Sequence, residues 1–410
     1  MNPGDTERNG SRIQDIDVLR SFALFGILMV NITYLASAHH GFGLADPGFD
    51  SALDNAVRRL TAIFFEAKFY LLFSFLFGYS FTLQLKSAER GGARFTPRFL
   101  RRCGALFVIG VCHAVVLFPG DILTTYAVLG LVLLALRGIR PRTAVITAVV
   151  LLTVTAVGFL LLAGAQHLAG GEGVDAAAVG ERAQRATEAL RGSPGSVIGA
   201  HLDQLPDVVL LLVFFQAPAA LAAFLLGLAA GRHEALTDIA RHGALLRRLQ
   251  WIGFPLGIAG GVFYARTAQG HPDTALQLVG LAVDTVTAPL LAAAYAATVL
   301  RLAATRRGRR LAPLLAPAGR MTLTNYLTQS LVLALLFTGF GTALVGRVPP
   351  PLVALIAVTL FAAQLAVSRH WLRRHRYGPA EWLLRAVTNA EPPRRAATDA
   401  ERSRPRHRAE

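Results

Sequence analysis

The chain has 410 residues, 53% of them apolar and 16% charged, against roughly 25% charged residues in a soluble domain. The apolar residues come in blocks of about 20, the length that crosses a hydrocarbon core ~30 Å thick, which excludes a string of soluble domains. The net charge of +16 does not mark a nucleic-acid protein, because the basic residues sit at the ends of apolar blocks rather than on one compact face with interleaved aromatics. In chain order the predicted spans are 18–38, 60–85, 100–118, 122–136, 143–165, 207–230, 251–265, 275–300, 321–340 and 351–367. The expected fold is therefore all-α, a polytopic transmembrane helix bundle of about ten spans. Residues 1–17 form an N-terminal tail and 18–385 a single transmembrane domain. The one long external connection is 166–206, whose Ala-rich middle predicts a surface helix. Residues 386–410 read as a disordered basic tail, too polar to bury a core.

Orientation follows from the positive-inside rule. One set of connections, with both termini, holds 33 basic residues; the alternate set holds seven, and Lys68 lies inside a span. Both termini are then cytoplasmic. Ala36-Ser37-Ala38 has the form of a signal-peptidase site, but the run before it is longer than a typical h-region and Asp17 and Arg20 abut it, so it reads as a retained span. Cys103 and Cys112 are nine residues apart in one apolar block, about 13 Å along a helix and too far for a disulfide. No Cys or His spacing points to a metal site. Gly253, Gly257 and Gly261, at four-residue spacing, give a close-packing face for a neighbouring helix.

Ionisable residues inside a bilayer are costly and mark cavities or partners. Near the cytoplasmic face, Asp17 and Arg20 are i,i+3 and share a helix face. The ninth span opens with Arg320 and carries Asn325, Tyr326 and Gln329; the two amides, i,i+4, project from one stripe. A capping charge pair with interhelical hydrogen bonds is the structural alternative to a substrate role. Nearer the outer face, the Pro119-Gly120 turn brings Asp121 back toward His113, and a carboxylate that fixes an imidazole tautomer prepares it as a general base. Glu66 and Lys68 enter the second span from the same side, and Asn31 lies in the outer half of the first. His39 and His40 fall in a Gly-rich external loop, expected to be exposed and mobile, with an external catalytic His as the alternative.

Five strings resemble the YeiB-like family of bacterial inner-membrane proteins, also called domain of unknown function 418. They are Asp17-Val-Leu-Arg20 with its sequel to Asn31, Lys68 through Gly78, His113 through Leu123, Gly319 through Tyr326 with Gln329-Ser330, and Tyr377-Gly-Pro-Ala-Glu-Trp382 with Arg385. The resemblance implies a multi-pass protein of the bacterial inner membrane, and the family is described loosely as connected with transport. The Asp17-x-x-Arg20-x-x-Ala23 opening is also similar to the first helix of integral-membrane acyltransferases, which carry an acyl group from cytoplasmic acyl-CoA to the far face. Their O-acyltransferase branch commonly places a His eleven residues after the Arg, where this chain has Asn31.

Two activities follow as expectations. In trans-membrane acyl transfer, Asp17, Arg20 and Arg320 hold the donor, acyl-CoA, with no tightly bound cofactor and no metal. His113 with Asp121 takes the acceptor's proton, and Lys68 stabilises the oxyanion. Asn31, Glu66, Asn325, Tyr326 and Gln329 line the cavity for a small-molecule, lipid or glycan substrate. In transport, Glu66, Lys68, His113 and Asp284 line a path, with Pro218 and Pro289 breaking helices near mid-membrane. A third possibility is a non-catalytic membrane protein whose polar residues only join helices.

Overall fold

A computed structural model describes residues 3–90, 92, 94–169, 176–234, 236, 242–268 and 274–391, and every regular element among them is helical. The first half comprises α1 (Pro3–Ala36), α2 (Ala38–Gly41), α3 (Ala52–Phe64), α4 (Lys68–Arg90), α5 (Phe95–Val116), α6 (Leu123–Ala135), α7 (Pro141–Leu168) and α8 (Ala176–Arg191). The second comprises α9 (Pro194–Leu211), α10 (Ala217–Arg232), α11 (Gly243–Ala268), α12 (Ala275–Ala303), α13 (Arg306–Arg320), α14 (Thr322–Phe337), α15 (Pro350–Arg374) and α16 (Pro379–Asn389). Seven helical stretches among the described residues are long and apolar enough to cross a membrane: Gln14–Ala36, Ala52–Arg90, Phe95–Val116, Pro141–Leu168, Pro194–Arg232, Ala275–Ala303 and Pro350–Arg374. The other three predicted spans are helical too, on α6, α14 and α11, the first two being shorter apolar helices.

The exterior suits a lipid surround. On α7, Val149, Val150, Val154 and Leu161 are all exposed, which water would penalise and lipid does not. With lipid as apolar as the core, helices associate through close backbone approach. A Cβ added to Gly78 of α4 would lie 2.0 Å from the Phe224 carbonyl oxygen of α10, and one on Gly227 of α10 would lie 2.1 Å from the Phe75 carbonyl oxygen of α4. Gly253 and Gly257 meet α12 at Leu290 and Leu291, whereas Gly261 meets Ile63 of α3, so the predicted stripe serves two neighbours.

Several boundaries differ from expectation. The second span is not one continuous helix: it breaks at Phe65–Ala67, where Ala67 takes φ 62°, a left-handed conformation that costs a non-glycine residue about 1–2 kcal/mol. The connection 166–206 is largely helical: α7 runs on to Leu168, α8 is the Ala-rich helix, docked through Val179 and Ala183, and α9 is joined to α10 by a π-helical turn, Leu212–Gln216. Part of that connection, residues 170–175, lies outside the described residues. α1 extends back to Pro3 through the N-terminal tail, and α16 carries helix through residues 386–389; the rest of the expected tail, 392–410, lies outside the described residues. The two histidines are not freely exposed: α2 is capped by Ser37, whose side chain accepts from the His40 amide at 3.0 Å, His39 is buried and His40 half-buried.

Candidate functional site

The site starts from the break between α3 and α4. The Phe65 and Glu66 amides both donate to the Thr61 carbonyl, at 2.8 and 3.2 Å, and the Lys68 amide donates to the Glu66 carbonyl at 2.8 Å. This turn releases Glu66 from helical register and starts α4 at Lys68, whose side chain is fully buried. Its ammonium donates to Asp284 Oδ1 of α12 at 2.8 Å and to the Ala62 carbonyl at 3.3 Å. Glu66 turns the other way, accepting from the Tyr264 hydroxyl of α11 at 3.0 Å, with His40 Nε2 of α2 at 3.5 Å from its other oxygen. The i,i+2 residues thus do not pair, as the spacing requires, and each finds a partner on a different helix.

Beside this turn lies a cavity of about 410 Å³, within the ~300–1,000 Å³ of small-molecule sites. Asn31 and Tyr34 of α1, Glu66, Asp284 and Tyr326 of α14 line it, with the Phe118-Pro119-Gly120 turn between α5 and α6. Gln204 and Asp207 of α9 and Gln216 of the π-helical turn also face it. π-turns recur at functional sites because they re-aim one residue out of helical register.

His113 and Asp121 come together as the hairpin predicts, Nδ1 to Oδ1 at 3.0 Å, both buried but off hydrogen-bond alignment. Gly110 permits this: a Cβ there would lie 2.6 Å from Asp121 Oδ2. That oxygen also caps α6, accepting from the Thr124 amide at 2.8 Å and hydroxyl at 3.0 Å. The other imidazole nitrogen, Nε2, lies 2.8 Å from Ser330 Oγ on α14. The pair does not line the cavity; Tyr326, with its ring centroid 4.9 Å from that of His113, stands in front of it. Lys68 likewise sits behind Asp284, so the predicted oxyanion donor is committed to a carboxylate instead of facing the cavity.

Asn325 and Gln329 are not cavity residues: both amides face α15. Asn325 Nδ2 donates to Ser368 Oγ at 2.9 Å, and Gln329 Nε2 to Gln364 Oε1 at 2.7 Å. Gln364 Nε2 closes the set by donating to the Asn325 carbonyl at 2.9 Å. At the start of α14, Glu381 of α16 accepts from the Leu323 and Thr324 amides at 2.7 and 3.1 Å and from the Thr324 hydroxyl at 2.6 Å, filling donors that a helix start leaves open.

Midway along α1, Arg20 pairs with Asp17 at 3.0 Å and donates to Ser80 Oγ of α4 at 2.6 Å. Arg320 is exposed and reaches the Arg376 carbonyl at 3.4 Å. Arg102 of α5 has a buried Nε with no hydrogen-bond partner, within electrostatic reach of Arg20 and Arg385. Among the described residues no group of three or more His, Cys, Asp or Glu is placed to hold a metal ion.

Sequence reasoning missed Tyr264, Asp207, Gln216, Ser330 and Arg102, and misplaced His40. Asp284, a carboxylate in an apolar run, carried a legible signal; Tyr264 did not.

A family described as "Protein of unknown function (DUF418)" matches residues 230–391. "Uncharacterized protein YxaH" of Bacillus subtilis (strain 168) is 35% identical over 394 residues, 92% of this chain and 94% of that protein. The "Uncharacterized 39.9 kDa protein in amylase 3'region" of Bacillus acidopullulyticus is 28% identical over 390 residues, 92% and 94% of the two chains. "Uncharacterized protein YeiB" of Escherichia coli (strain K12) is 27% identical over 390 residues, covering 91% and 95%. No solved structure matches the chain.

Proposed function

For this chain, which belongs to the DUF418 family of unknown function, we propose an activity in the bacterial inner membrane, with both termini cytoplasmic: transfer of an acyl group from cytoplasmic acyl-CoA to an acceptor held in the cavity. The observation that carries this reading is the cavity of about 410 Å³ with Glu66 on its wall and His40 Nε2 3.5 Å behind that carboxylate. A carboxylate backed by an imidazole takes a proton from an acceptor hydroxyl or amine and passes it on. The acceptor oxygen or nitrogen then bonds to the acyl carbon, the carbon–sulfur bond breaks, and the thiol of coenzyme A leaves with a proton. Asn31 and Tyr326 hold the acceptor, His113 and Asp121 fix Tyr326 from behind, and Lys68 neutralises Asp284. Arg20, Arg102 and Arg320 supply positive charge for the donor's phosphates.

The test uses the full chain in nanodiscs with acetyl-CoA and longer acyl-CoAs. Acyl-CoA raises the melting temperature in wild type and not in Arg102→Ala, and coenzyme A thiol release with an envelope extract as acceptor is lost in Glu66→Gln and His40→Ala. Failure of every chain length to stabilise the protein or release thiol overturns the reading. The broken helix with its buried Lys68–Asp284 pair favours a second reading, export of the cavity's occupant, since such breaks place ion and substrate sites in transporters. Flux into proteoliposomes without acyl-CoA, abolished by Asp284→Asn, selects it.

A further inference from the structure

Ten aromatic rings line the cavity, among them Tyr34, Phe65, Phe69, Tyr70, Tyr264 and Tyr326. Three carboxylates line it as well, Glu66, Asp207 and Asp284, and the lining residues include no Lys, Arg or His. One carboxylate, Asp284, is neutralised by Lys68 at 2.8 Å. Glu66 has a tyrosine hydroxyl and an unaligned imidazole for neighbours, and Asp207 is exposed on α9. The wall thus sets the Glu66 and Asp207 carboxylates among aromatic rings with no cation among the lining residues, although the Lys68 ammonium lies behind it, 5.6 Å from the Tyr264 ring centroid. The Tyr326 hydroxyl is also buried on this wall without an aligned hydrogen-bond partner. An anion meets repulsion there, and a neutral apolar molecule leaves the buried Glu66 carboxylate without a counter-ion. An ammonium group on an apolar body suits this wall, taking Glu66 as counter-ion and the rings through cation–π contact.

We infer that the cavity between the α3–α4 break, α9, α12 and α14 binds an organic cation, an amine or quaternary ammonium carrying an apolar or aromatic group. This rests on the cavity being the ligand site of the proposed function, and not on acyl transfer being what happens there.

The test is equilibrium dialysis of labelled benzyltrimethylammonium and of phenethylammonium against the full chain in nanodiscs, without acyl-CoA, with empty nanodiscs as the blank. At least one cation binds saturably, and neither benzyl alcohol nor phenylacetate competes at matched concentration. Glu66→Gln weakens binding by roughly tenfold or more, as loss of a buried counter-ion requires. Asp207→Asn, at an exposed position that leaves folding intact, weakens it a few-fold. Absence of saturable binding of both cations, competition by phenylacetate as strong as by the cation, or unchanged affinity in both variants overturns the inference. Saturable cation binding by a protein that ignores acyl-CoA leaves this inference standing and removes acyl transfer. Thiol release to an acceptor, with no cation bound, does the reverse.

Discussion

Two polar regions run through this bundle, and they use the same residue types to opposite ends. Between α14, α15 and α16, Asn325, Gln329, Gln364 and Ser368 bond one another and the Asn325 carbonyl at 2.7–3.3 Å, Glu381 accepts from Leu323 and Thr324 at 2.6–3.1 Å, and none of them lines the cavity. Around the α3–α4 break, Glu66, Lys68, Asp284 and Tyr264 are as deeply placed, yet a cavity of about 410 Å³ lies against them. The first region is joinery: polar groups satisfied by each other so that helices lock in one register. The second keeps carboxylates facing space and holds Ala67 in a left-handed conformation, strain of the kind that clusters at functional sites. Burial of polarity alone does not separate the two; leftover volume and misaligned partners do.

The sharpest way to break that contrast is at Lys68. Its side chain is 0% exposed and holds Asp284 at 2.8 Å. Lys68→Met strands a buried carboxylate, and breaking one side of such a pair costs about 3–5 kcal/mol. Thermal unfolding in detergent should show the largest loss of any single substitution discussed here, with Lys68→Met/Asp284→Asn recovering most of it. Recovery of stability without recovery of cation binding or thiol release would sharpen the contrast, since joinery is indifferent to which satisfied pair is present. A Lys68→Met protein as stable as wild type would remove the ion pair from the account.

Much of this was legible before the structure. Apolar blocks fixed a helical bundle because only helices and closed barrels satisfy their backbone in lipid, and the two-residue turn at Pro119-Gly120 was enough to bring Asp121 to His113. Other features left no mark. The break after Phe64 occurs in Phe-Phe-Glu-Ala-Lys, with no Gly or Pro to announce it; tertiary pairing of Lys68 with Asp284, 216 residues away, overrides local preference. Asn325 and Gln329 read equally well as cavity or as glue, because i,i+4 spacing gives a stripe but not its partner. His40 looked mobile because glycines follow it, yet the Ser37 cap and Tyr34, with ring centroids 4.6 Å apart, hold it against Glu66.

The next effect in size tests the joinery at its end. Glu381 supplies both oxygens to the start of α14 and is half-buried. Glu381→Ala leaves the Leu323 and Thr324 amides open, and losing a capping side chain costs about 1–2 kcal/mol. Hydrogen exchange should rise at the first turn of α14, while affinity for benzyltrimethylammonium stays within about twofold of wild type. A large loss of affinity with little loss of stability would mean that α16 reaches the ligand site, and the two regions would be one.

The smallest expected effect is the most discriminating. Gln329 gives a single side-chain bond, 2.7 Å to Gln364 Oε1, and Gln364 keeps its own bonds to the Asn325 carbonyl and Thr328 hydroxyl. Interhelical hydrogen bonds in membrane proteins average ~0.6 kcal/mol, so Gln329→Leu, which preserves volume, should lower stability by about that amount or leave it unchanged. Ser330 follows Gln329 directly, and its Oγ contacts His113 at 2.8 Å, so the two substitutions probe adjacent positions about 100° apart around one helix, one toward α15 and one toward His113. Ser330→Ala should disturb the support of Tyr326 and weaken cation binding with little change in melting temperature, while Gln329→Leu should do neither. Equal effects of the two on binding would show that α14 moves as a unit and that no boundary between joinery and site runs along it.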